Sequence, residues 1–173
     1  MTSTEAADTR TLSRERADLI EALRTQRYFL KFTVQNLTDE QARLTPTASA
    51  LSLGGLIKHV SATEKGWYDF ASGSPDSVAG QDEESWEGAF TMGEDETLEG
   101  LLAAYDEVAA RTDELAATAD LDAAYPLPPA PWFEPGATRS VRRVLVHIVA
   151  ETAQHSGHAD IIRETIDGQR TMG

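Results

Sequence analysis

The sequence predicts an all-α fold, a four-helix bundle with long connections. Three observations carry that prediction. Four long stretches repeat their apolar residues with helical period. No segment alternates strongly enough to read as a strand. The chain has 173 residues, 40% of them hydrophobic, which is enough for one core without staples. A bundle is the economical way to bury four such stripes.

The first helix is expected from about Thr11 to Asn36, with Leu12, Leu19, Leu23, Leu30, Val34 and Leu37 along one stripe. Residues 1–10 are expected to form a flexible N-terminus to a single domain spanning residues 1–173. Thr38-Asp39-Glu40-Gln41 has the pattern of a capping box and opens a short helix that stops before Pro46. The second long helix runs from about Ser52, a good N-cap, to Ala71. Leu56, Val60, Thr63, Trp67 and Phe70 line its inner face, and His59 sits beside Val60. The third runs from about Thr97 to Ala119, with Leu98, Leu101, Leu102, Tyr105, Val108, Thr112 and Leu115 inward. The fourth runs from about Ser140 to Asp167, and Gly168 suits its C-terminal cap.

Two long connections remain. Ser74 to Glu96 holds eight acids, no Lys or Arg, and the aromatics Trp86 and Phe90; it reads as a surface excursion, a candidate lid. Tyr125 to Gly136 holds most of the seven prolines with Trp132 and Phe133, and reads as a stiff, extended link.

Composition removes several function classes. The chain has no cysteine, which excludes disulfides, thiolate metal sites and a cysteine nucleophile. Its net charge of -14 repels phosphate backbones and anionic lipid, so neither nucleic acid nor membrane is an expected partner. No basic, then apolar leader follows Met1, and no apolar run approaches the roughly 20 residues that span a bilayer. A cytoplasmic location is the expectation.

The chemistry lies in the run from His147 to His158. At about 100° per residue, His147, Glu151, His155 and His158 share a narrow stripe. That stripe overlaps the apolar one of Val144, Ile148 and Ile162, so imidazole and carboxylate face the interior. Burial of such groups is costly without partners. A divalent cation satisfies them together, because neutral imidazole and carboxylate are its usual donors and residues four apart on a helix meet on one face. His59 is the remaining histidine and lies on the inward stripe of the second long helix. Glu151 and His158 are about 10.5 Å apart along the axis. Two ligand sets therefore compete, His59 with Glu151 and His155, or His59 with His155 and His158. The residue left over would orient a ligand or a bound water. Histidines buried as ordinary core residues are the alternative. The donors admit zinc, nickel, manganese or iron; zinc is the first expectation and nickel the second. Trp67, Tyr68 and Arg163 are candidates for binding substrate. Arg163 is a candidate carboxylate ligand, although with Glu164 it also reads as a surface pair.

Two segments carry a family resemblance. One is Ser52-Leu53-Gly54-Gly55-Leu56-Ile57-Lys58-His59-Val60, followed by Glu64 and Trp67; the other runs from Leu145 to Glu164. On these residues the chain resembles the DinB-like (YfiT-like) metal-binding four-helix superfamily, and within it the actinobacterial mycothiol S-transferase, or mini-circle protein, branch. The similarity extends over nearly the whole chain. It implies a metal held by His59 and by the pair at the positions of Glu151 and His155, with His158 adjacent. Glu151 departs from the three-histidine form of the superfamily and matches its maleylpyruvate isomerase relatives. The resemblance further implies a homodimer, mycothiol as the thiol co-substrate, and transfer of its sulfur to a small electrophile. A thiol-dependent isomerase and a non-catalytic metal or small-ligand binder are the alternatives.

Overall fold

The computed structural model describes residues 12–79, 88–131 and 133–172. The N-terminus expected to be flexible, Trp86 and Trp132 lie outside the described residues. Helix α1 spans Arg14–Phe32, α2 Asp39–Arg43, α3 Leu53–Ala71, α4 Leu98–Thr118 and α5 Val141–Asp167. A single 3-10 turn, Pro75–Val78, follows α3.

Capping side chains set these boundaries. Ser52 Oγ accepts from the Gly55 N–H at 3.2 Å, Thr97 Oγ1 from Gly100 at 3.1 Å and Ser140 Oγ from Arg143 at 3.2 Å. Each satisfies a backbone donor that the first helical turn leaves open. The capping box at Thr38 is complete, with Gln41 reaching back to the Thr38 N–H at 3.0 Å. Gly168 ends α5 at φ 79°, in the left-handed region that favours glycine. Helix α1 stops four residues short of the expectation. The turn after Phe32 closes through Asn36 at φ 61°, a conformation asparagine tolerates.

Helix α1 packs on α5 and α4, and α3 packs on α4 and α5, so the four long helices close a ring. Apolar side chains fill it in two clusters. Leu30, Leu53, Leu56, Ile57, Val60, Tyr105, Ala159 and Ile162 belong to one. Leu23, Trp67, Phe70, Ala116, Val144, Leu145 and Ile148 belong to the other. Between them, in the order of each helix, lies a polar layer of Arg27, Glu64, Thr112 and Thr152, all buried. Thr112 and Thr152 satisfy their hydroxyls on the carbonyls of Val108 and Ile148. No helix among the described residues is long and apolar enough to cross a membrane.

Two expectations about the connections are corrected. The link after Tyr125 contains an antiparallel strand pair, β1 Ala124–Pro126 and β2 Thr138–Ser140, with Tyr125 opposite Arg139. Each strand has three residues and one contains proline, too little for alternation to register. The acidic segment before α4 is not wholly a surface excursion, because Met92 is buried in the first core cluster and Phe90 packs against it.

Candidate metal centre

Helices α3 and α5 face each other at the level of the polar layer. There α3 supplies His59, and α5 supplies Glu151 and His155. One ligand atom from each of the three lies within 4.8 Å of the others. These three side chains would be the ones to hold a divalent cation, since imidazole and carboxylate are its usual donors. The imidazoles of His59 and His155 meet edge to face, with centroids 4.8 Å apart. The Nε2 of His155 stands 3.8 Å from Glu151 Oε2.

Burial lowers the proton affinity of both imidazoles. Desolvation, with His155 adding to it, lowers the pKa of His59 to about 4. Desolvation and then His158 lower that of His155. A neutral ring keeps the lone pair that a metal needs. The Nδ1 atoms of His155 and His158 are buried without a hydrogen-bond partner among the described residues, a cost that structures rarely carry unless another group completes the site. The donor set and these orphaned atoms fit a divalent cation.

The remaining sequence candidates divide. His158 stands beside His155, with centroids 5.5 Å apart, outside the close group of three. His147 places Nε2 3.6 Å from Glu151 Oε1. Its ring meets Trp67 edge to face at 4.7 Å, so Trp67 is a neighbour of the cluster through His147. Tyr68 points elsewhere, lining a shallow depression on α4 with Arg111, Glu114 and Leu115. Arg163 is buried rather than paired at the surface. It bonds Asp167, Gln169 and the carbonyls of Thr33 and Gln35, so it ties the end of α5 to the end of α1. Its position eight residues beyond His155 puts it about 12 Å along the helix, and the structure does not bring it to the cluster.

Two features escaped the sequence reading. The first is the seat of Phe90, whose ring stacks on His59 with centroids 3.8 Å apart. The close approach needs glycine, because a Cβ at Gly55 would stand 1.8 Å from the Phe90 carbonyl oxygen and one at Gly54 would stand 2.4 Å from Met92 Sδ. The Gly54-Gly55 pair was the available signal. The second is the charge network beneath the site. Arg27 of α1 reaches Glu64 of α3 through two bonds, 2.5 and 3.2 Å, and Asp113 of α4 through a third at 2.7 Å. Glu64 is 1% exposed and Arg27 4%. The spacing of Arg27 among Leu23 and Leu30 was the signal there.

This bundle of helices has the fold of the DinB-like superfamily. A solved structure of a conserved protein from Enterococcus faecalis shares it, with a TM-score of 0.67 at 16% identity, over 88% of this chain and 97% of that one. That likeness is one of fold. The model of the mycothiol-S-transferase family matches residues 18–168, and the chain belongs to that family. No curated protein matches the chain.

Proposed function

We propose that the chain is a metal-dependent thiol S-transferase that joins the sulfur of mycothiol to a small electrophile. The observation that supports it best is the meeting of His59, Glu151 and His155 within 4.8 Å, in a chain of the mycothiol-S-transferase family. A divalent cation held by these three, zinc first and nickel second, supplies the Lewis acid that makes a bound thiol a thiolate. With three protein donors, the cation would still be open to a ligand from outside the chain.

The chain's own residues supply the rest. His59 and His155 present neutral nitrogens. Phe90 covers one face of His59 and keeps water from it. His147 stands 3.6 Å from the Glu151 carboxylate, where it would help to orient that group. His158 is the spare donor beside His155, either an alternate ligand or a partner for whatever binds. Trp67 walls the pocket for the electrophile. The chain has no cysteine, so the attacking sulfur comes from the co-substrate. A homodimer in the cytoplasm belongs to the same reading.

Zinc-loaded protein incubated with mycothiol and a fluorogenic chlorobimane should form the thioether faster than the uncatalysed reaction. His59→Ala should abolish the increment. Full activity in His59→Ala would overturn the proposal.

A further inference from the structure

The two buried arginines among the described residues, Arg27 and Arg163, find acids. Arg27 takes Glu64 and Asp113, and Arg163 takes Asp167. With 29 acids against 15 bases, partners are plentiful. Arg139, half-buried, has no such acid among the described residues. Its guanidinium carbon lies 4.6 Å from the ring centre of Trp67 and 5.3 Å from that of Phe133. Its Nη1 is buried with no hydrogen-bond partner among the described residues. A buried N–H without an acceptor costs free energy that a bound anion would return.

The position of Arg139 links it to the cluster. Arg139 lies on β2 next to Ser140, the N-cap of α5. It touches Trp67, Trp67 touches His147, and His147 faces Glu151. Arg143, one turn into α5, adds a second positive charge. Both arginines hold down the proton affinity of His147, after the larger effect of burial. Glu151 in turn is felt at Arg139. Two cations thus stand at one edge of the cluster in a chain whose net charge is -14.

We propose that Arg139, assisted by Arg143, forms a carboxylate subsite beside the His59–Glu151–His155 cluster, and that the carboxylate belongs to the electrophile. A carboxylate matches the two-pronged guanidinium, and the aromatic walls of Trp67 and Phe133 shield the pair from water. The second half of the proposal rests on the transferase reading, because mycothiol itself carries no carboxylate; the first half does not.

Two measurements separate the halves. In the first, propionate and propionamide are titrated by calorimetry into zinc-loaded wild type, Arg139→Met, Arg139→Lys and Arg143→Gln. Wild type should bind propionate at least tenfold tighter than propionamide. Arg139→Met should lose that preference while keeping its zinc. Arg139→Lys, which covers the case of a Met variant that does not fold, and Arg143→Gln, at an exposed position, should each weaken propionate severalfold. Equal binding of the two probes by wild type, or propionate binding that survives every variant, overturns the subsite.

In the second, mycothiol is the thiol and chloroacetate or chloroacetamide the electrophile. Sulfur bonds to the methylene carbon, chloride leaves with the electron pair of the carbon–chlorine bond, and the thiol proton goes to solvent. Relative to the uncatalysed rates, wild type should favour chloroacetate at least tenfold, and Arg139→Met should lose that preference. A preference for chloroacetamide overturns the assignment of the carboxylate to the electrophile. Propionate binding with no transfer to either electrophile supports the subsite and sinks the transferase reading instead.

Discussion

The ring of Phe90 lies on the imidazole of His59, 3.8 Å between centroids and 19° from parallel. One residue comes from an acidic connection, the other from the inner face of α3. Their contact couples the seat of the connection to the proton affinity of a candidate metal donor, since burial is the main cause of the low pKa of His59.

Phe90→Ala should therefore expose His59. In metal-free protein, the His59 pKa should rise from about 4 toward its ordinary 6.5, by a unit or more. An NMR titration of the imidazole signals follows this directly. An unmoved pKa would show that Phe90 shields nothing.

Gly55→Ala should act on the same contact from the other side. The new methyl group would meet the Phe90 carbonyl at 1.8 Å, and backbone cannot yield as a side-chain tip does. The cost should be about 1–3 kcal/mol by urea unfolding, with weaker zinc binding. Gly73→Ala should not weaken zinc, because nothing lies within 4 Å of a Cβ there; its φ of 100° gives it a separate backbone cost.

The fold was legible wherever local chemistry decides. Ser52, Thr97, Ser140 and Gly168 announce their roles by type and position, and the structure uses all four. The helix-five stripe put Glu151 and His155 on one face, and His59 was the one histidine left to meet them. What the sequence hid depends on tertiary contacts. Phe90 and Met92 sit among acids and read as surface, yet a pair of glycines lets them settle on α3. Arg163 reads as exposed until the ends of α1 and α5 are seen to converge on it. Strands of three residues carry no periodicity, so β2 and the placement of Arg139 were invisible.

The Arg27–Glu64 pair bridges α1 and α3 across the ring of helices. Arg27→Met should leave Glu64 buried and unpaired, and should cost about 3–5 kcal/mol in urea unfolding. The double variant Arg27→Met with Glu64→Leu should recover most of that loss. A double variant as unstable as the single one would mean that the pair does more than neutralise itself.

Two histidines of lowered proton affinity, one buried and one half-buried, give stability a definite pH dependence. His59 and His147 each have a folded pKa of about 4, below the ordinary 6.5. The unfolded chain then binds more protons between those values, so stability rises with pH across the window. The contribution should be complete above about pH 6.5, fall as the pH drops toward 4, and change little below. Urea unfolding of metal-free wild type against His59→Gln with His147→Gln should show a difference confined to that range.

The central claim is the metal centre, and metal content tests it most directly. Untagged wild type and His155→Ala, each incubated with zinc and freed of excess, should be compared by elemental mass spectrometry. About one zinc per chain in wild type, lost in His155→Ala, is the expected result. No metal in either protein, after incubation with zinc and again with nickel, would contradict the account and leave the histidine stripe as buried structure.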